Sequence, residues 1–211
     1  MEPIVPYYLD MPDEPTSPGR GRPREFEIDD IIRDAMGVFQ TLGYQGASME
    51  QLVQGTGLSR GSLYKVFPDK RALFLAALER YTTENTAKLR DCLAEGSARE
   101  AIRSALMGIA EASALATGER GCLVVSSTAE MASKDLAVKA HLEQTLDRIQ
   151  GLIGAAIRRG QEAGEIPSKR DVEALARFFL CTIEGLGVLG KTGRTREDMA
   201  SIVDAAMNVL V

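Results

Sequence analysis

The sequence predicts an all-α protein in two parts, a small N-terminal head built around a helix-turn-helix and a larger helical domain behind it. Three observations carry that expectation. Apolar residues recur at spacings of three and four along almost every segment from residue 25 onward. Capping residues, Gly and Pro punctuate those segments. No stretch alternates apolar and polar residues over the length of a strand.

Taken in order, residues 1–24 are rich in Pro, Gly and acids, turn basic at GRGRPR and show no periodicity, which reads as a mobile arm. Residues 25–46 form the first helix. Ile28, Ile31, Ile32, Ala35, Met36 and Phe39 make its apolar stripe, acids sit at its start where the helix dipole favours them, and Gly43 and Gly46 close it. In SMEQLVQGTG, Ser48 caps a short helix with Gln51 as its capping-box partner, and Gly55 and Gly57 end it. In LSRGSLYKVF, Ser59 caps a second short helix, Leu63, Val66 and Phe67 face inward, and Pro68 stops it. Asp69 caps the next helix, with a stripe of Leu73, Phe74, Ala77, Leu78 and Tyr81. Further helices are expected over 98–115, 120–132, 135–163, 169–190 and 195–210.

The chain has 211 residues, 45% of them apolar, enough for a substantial core. The net charge of −5 is acidic overall, but charge is distributed unevenly. Arg20, Arg22 and Arg24 fall within five residues, and Arg60, Lys65, Lys70 and Arg71 share one stretch opposed only by Asp69. Three cysteines without paired spacing do not make a disulfide framework and suit a reducing cytoplasm. The acidic, Pro-rich start does not read as a secretory signal. Arg177 and Glu184 interrupt the most apolar stretch, so no membrane span is expected.

Two short helices joined by a Gly-containing turn, the second cationic and hydroxyl-bearing, have the makings of a DNA-reading helix-turn-helix. A helix that enters the major groove needs a small or polar exposed face. Gly61 and Ser62 allow close approach, Arg60 can offer two donors to a guanine edge, and Lys65 can reach a base or a phosphate. Tyr64 offers a hydroxyl to phosphate, and Lys70 begins the following helix where it would lie over the backbone. Ser59, at the head of the same short helix, joins the phosphate candidates. Arg20, Arg22 and Arg24 resemble an arginine hook for an AT-rich minor groove and would raise affinity and salt dependence.

The run VFQTLGYQGASMEQLVQGTGLSRGSLYKVFPDKRALFLAAL, residues 38–78, resembles the TetR-like (tetracycline-repressor) family of transcriptional regulators. The match keeps Phe39, Gly43, Tyr44, Ser48, Gly57, the Gly61–Tyr64 core, Phe67 and Lys70. The resemblance implies phosphate contacts from Ser48, Tyr64 and Lys70 and base contacts from Arg60, Ser62 and Lys65. It departs from the family at Val66, where many members carry His. The expected division is an arm (1–24), a DNA-binding head (25–72) and a ligand-sensing and dimerisation domain (73–211). The expected partners are a palindromic double-stranded operator, a small-molecule effector and a second copy of the chain.

In that family the last two helices pair with those of a second subunit. Phe179, Ile183, Leu186, Ile202, Val203, Ala206 and Met207 are the corresponding interface candidates, with an intramolecular core as the alternative. Two heads on a two-fold axis would read half-sites about 34–36 Å apart. Leu106, Met107, Cys122, Leu123, Phe178 and Cys181 are candidates for an effector pocket, being apolar and central. Cys122 stands at a helix start after Arg120, a setting that lowers a thiol pKa, so an electrophile- or redox-sensing repressor is a second reading. A helical ligand-binding protein without DNA binding is a third. Glu111, Glu130 and Glu184 are the acids that a carboxylate cleft would require, but spacing does not bring them together. The single His141 has no partner at metal-ligand spacing, and no metal, cofactor or enzymatic activity is expected.

Overall fold

Helical periodicity, with local caps at most helix starts, sets the elements of the computed structural model, which describes residues 25–115 and 121–211. The elements are α1 (Glu25–Gly46), α2 (Met49–Thr56), α3 (Arg60–Val66), α4 (Lys70–Ala94), α5 (Ala98–Leu115), α6 (Leu123–Met131), α7 (Leu136–Glu162), α8 (Val172–Gly190) and α9 (Arg196–Met207), with a closing 3-10 turn at Asn208–Leu210. No strand occurs among the described residues. Arg20, Arg22, Arg24 and Arg120 lie outside them.

Most expected boundaries move by a few residues for one reason: the expected segments included their caps. Asp135, Asp171 and Thr195 stand outside the helices that they cap, accepting from the free N–H groups of the first turn. Within α1 the helix breaks at Gly43 (φ 70°, ψ 178°), a conformation that side chains with a Cβ rarely adopt. Gly57 (φ 67°) ends α2 in the left-handed region and turns the chain toward α3.

Two clusters of buried side chains form the interior. The first joins Ile31, Ile32, Ala35 and Phe39 of α1 to Leu52, Leu63, Leu73, Phe74, Ala77 and Leu78, and takes in Leu123, Val124 and Met131 of α6 and Val138 and Leu142 of α7. The second joins Leu93 of α4 to α5, the C-terminal half of α7, α8 and α9. The helices α4 and α7, 25 and 27 residues long, therefore run through both cores. At 1.5 Å per residue each spans about 40 Å. The expected division at residues 72 and 73 falls inside α4, on the first-core side.

An ion pair fastens the start of α4 to the start of α7. Arg71 donates to both carboxylate oxygens of Asp135, at 2.5 and 3.0 Å, while Asp135 Oδ1 also accepts from the N–H groups of Ala137 and Val138. The Arg71 hydrogen bonds are the main reason that the Asp135 pKa falls from 3.8 to about 2. A depressed carboxylate pKa stabilises the fold above the unfolded-state value and loses that contribution as pH falls through the folded-state value. Asp135→Asn keeps a capping side chain but not the charge. The variant is expected to melt below the wild type at pH 7, with the difference narrowing steadily below about pH 4 in thermal melts.

Candidate nucleic-acid interface

The head is assembled from local signals. The Ser48 Oγ accepts from Gln51 N–H at 3.2 Å, and the Gln51 side chain accepts from Ser48 N–H at 2.8 Å. This capping box uses the Ser48 oxygen as an acceptor and leaves its O–H as a donor. Ser59 Oγ accepts from Ser62 N–H at 3.1 Å and lies 2.9 Å from Ser62 Oγ, so the two hydroxyls sit together at the start of α3.

On α3 the buried anchor is Leu63, 1% exposed, followed by Phe67, 5% exposed, just past the helix end. Arg60, Gly61, Ser62, Tyr64 and Lys65 all face solvent. The Arg60 guanidinium stacks over the Tyr64 ring at 5.7 Å, one helical turn away. A Cβ added at Gly61 would meet nothing within 4 Å, so the leading edge of α3 is open. The structure thus brings Arg60, Ser62, Tyr64 and Lys65 onto one exposed edge, with Ser59 at its N-terminal end.

Lys70 is held at the neighbouring corner by Tyr44, a contact that no local pattern signals. Its Nζ lies 4.5 Å from the centre of the Tyr44 ring, and that ring packs 4.8 Å from Phe74, which in turn meets Phe39 edge-on at 5.2 Å. Burial lowers the Lys70 pKa, and the negative charge of Glu130 pulls it back up. Arg71 does not belong to the same free patch. It is committed to Asp135, which the sequence could not reveal because the two residues are 64 positions apart. The cationic edge is accordingly Arg60, Lys65 and Lys70. Glu130 and Asp135, both distant in sequence, are the residues that local patterns missed.

Comparison with known proteins agrees with this geometry. Residues 31–77 match the family model described as bacterial regulatory proteins, tetR family, and residues 104–206 match the tetracyclin repressor-like C-terminal domain. A structure of a cysteine mutant of the TetR family transcriptional regulator CifR, complexed with 26-bp double-strand operator DNA, is 31% identical, with a TM-score of 0.80, covering 90% of this chain and 100% of that one. The chain belongs to the TetR family of transcriptional regulators. The transcriptional repressor ComR of Escherichia coli strain K12 is 28% identical over 192 residues, 90% of this chain and 91% of ComR. The regulator AcuR of Cereibacter sphaeroides is 29% identical over 181 residues, 82% of this chain and 83% of AcuR.

In this TetR-family chain the C-terminal candidates need correcting. Phe178 is 41% exposed and Cys181 is also exposed, so neither lines an interior pocket. Leu106 and Leu123 are fully buried but in different cores, and Met107 is half-buried beside Leu106's cluster. Of the interface candidates, Phe179, Leu186, Val203, Ala206 and Met207 are buried within the protomer, while Ile183 and Ile202 are half-buried. The reason is that α8 is apolar on both faces, so periodicity could not say which face turns outward. The outward face carries Phe178, Thr182, Gly185 and Leu189. With Ile202 and Ala205 of α9 these line a groove of about 380 Å³ whose floor is Leu186 and Ala206.

The expectation of an acidic Cys122 thiol also fails. Cys122 precedes α6, with Tyr81 of α4 against its sulfur and Gly187 of α8 so close that an added Cβ would lie 3.0 Å from the Cys122 Cβ. Burial pushes the thiol pKa up and outweighs the backbone N–H groups that favour the thiolate. Burial likewise pushes the nearby Glu184 up to about 6. His141 joins α7 to α4, with Nε2 at 2.9 Å from Thr82 Oγ and Nδ1 at 3.2 Å from Glu79, and burial lowers its pKa. Glu111 pairs with Arg196 and Glu130 accepts from Gln45 N–H, so these two glutamates are engaged with separate partners. No group of three His, Cys, Asp or Glu suited to a metal occurs among the described residues. Cys122 is therefore expected to resist iodoacetamide at neutral pH until the protein is unfolded, as mass spectrometry of the labelled peptides would read. Labelling in the native state as fast as a free cysteine would contradict this.

Proposed function

We propose that this chain is a ligand-responsive DNA-binding repressor that acts as a homodimer in the cytoplasm, and that it is not an enzyme. The observation that carries the reading is the edge of α3: five of its seven residues exposed, cationic and hydroxyl-bearing, behind a capped turn. Arg60, Ser62 and Lys65 are proposed to face bases. Ser48, Ser59, Tyr64 and Lys70 are proposed to hold phosphates, and Arg20, Arg22 and Arg24 to reach the minor groove. The relatives support the reading, since ComR is named as a transcriptional repressor and the CifR mutant structure holds operator DNA.

The α8–α9 groove is proposed as the face that meets the second subunit, with Phe178 as its largest exposed apolar side chain. Two heads would then read a palindrome. Effector binding would shift the dimer between a DNA-competent spacing and another, a coupling of about 1–3 kcal/mol being enough for a 5–150-fold change. Residues 25–72 would serve as the reading head and 73–211 as the sensor and dimer domain. No helix among the described residues is long and apolar enough to cross a membrane. The thiol-sensing alternative through Cys122 gains no support from its raised pKa, and a helical ligand carrier would have no use for the α3 edge.

The test is fluorescence anisotropy against the DNA upstream of the chain's own gene, over a salt series. Arg60→Ala is expected to cost about 1–3 kcal/mol and to relax sequence preference, whereas Lys70→Ala should weaken all duplexes alike and reduce the salt slope by about 1. A wild-type slope near zero would contradict phosphate contacts. In parallel, Phe178→Glu should shift the sedimentation mass from dimer to monomer and abolish tight operator binding. A Phe178→Glu protein that stays dimeric would remove this groove as the interface.

A further inference from the structure

We propose that Glu130 is a positioning residue of the reading head, holding from α6 the turn that delivers Ser48 to the DNA backbone. The inference rests on the DNA-binding reading above and adds a residue that the α3 edge does not contain.

The argument begins at Gly43. Its left-handed backbone ends the helical run of α1, so the N–H groups of the next turn lose their partners four residues back. One turn re-forms, closed by Ala47 N–H to Gly43 C=O at 3.3 Å. Its free N–H groups need an acceptor, and the start of a helical turn favours a negative one. The Glu130 carboxylate fills that role. Oε2 accepts from Gln45 N–H at 2.8 Å, a charge-assisted hydrogen bond that reaches across 85 positions. It does in space what an N-cap aspartate does in sequence. Gly43 is what admits it: a Cβ there would overlap the carboxylate.

What lies on either side gives this contact its consequence. Ala47, two residues on, is fully buried, and Ser48 follows at once with its capping box. The segment is thus pinned at Gln45, Ala47 and Ser48. Lys70, the other phosphate candidate, feels the Glu130 charge and rests on Tyr44 in the same turn. The far end of α6 is tied too, by Gly121 N–H to Gln40 C=O at 3.2 Å, and there Cys122 meets Gly187 of α8. α6 is nine residues long, so its two ends place Cys122 beside α8 and Glu130 beside the Ser48 turn.

The full-length protein with Glu130→Ala or Glu130→Gln tests this in two readouts. Glutamine retains an acceptor oxygen without the charge, so it should rescue part of what alanine loses. Amide exchange at Gln45 in the free protein should speed by about tenfold or more in Glu130→Ala, the scale of one charge-assisted hydrogen bond. Affinity for a duplex that the wild type selects from a random pool should fall by a similar factor, with Glu130→Gln restoring part of both. Gln45 exchange unchanged in Glu130→Ala would overturn this proposal alone. So would operator affinity unchanged once the amide is freed, or a Glu130→Gln protein as impaired as Glu130→Ala. A wild type that selects no duplex would overturn the DNA reading and the proposal with it.

Discussion

A helix that keeps five of its seven residues in water has almost nothing left with which to hold itself to the protein. That constraint governs the head. Within α3 only Leu63 is buried, which supplies about 1.5–3 kcal/mol. Ordering seven residues costs about 1–2 kcal/mol each. The helix therefore exists because its ends are fixed by others: Ser59 caps it, Gly57 turns the chain into it, and Phe67 anchors its exit in the core of α1, α2 and α4. The aromatic cluster of Phe39, Tyr44 and Phe74 extends that support to Lys70. Rigidity at the exposed edge is borrowed from the helices behind it.

The lender is not the head alone. Because α4 and α7 pass through both cores, the helix bundle behind α3 is continuous with the body of the second domain. The α4–α7 seam carries polar contacts beside its apolar ones. Arg71 meets Asp135 at one end, while Thr82 and Glu79 meet His141 further along. Directional contacts of this kind favour particular registers, whereas an all-apolar seam would slide more freely.

How much of this was legible in the sequence depends on distance along the chain. Ser48, Ser59 and Asp69 announced their helices through three-residue capping patterns, and each caps the helix expected of it. Leu63 and the exposed residues around it followed from period and composition. Contacts between distant residues were silent. Nothing near Arg71 signals Asp135, and nothing near Gly43 signals Glu130. Cys122 shows a different failure. The local rule, a helix start with a cation nearby, predicted a lowered thiol pKa, but the packing of Tyr81 and α8 around it decided the sign by burial. Local electrostatics is written in sequence; desolvation is a property of the fold.

The same limit explains α8, and α8 shows what the ambiguity is for. Its inward face, Leu175, Ala176, Phe179 and Leu186, closes the second core, and Gly187 presses on Cys122 at the start of α6. Its outward face, Phe178, Thr182, Gly185 and Leu189, lines the groove with α9. A helix with two apolar faces is hard to orient from a pattern because the pattern does not say which face packs on the core. If the groove is where the second subunit sits, a small rotation of α8 changes two things at once: the angle between subunits, and the position of α6, whose other end bears on the turn before Ser48. Spacing of the two heads and the shape of each head would then be set by one element.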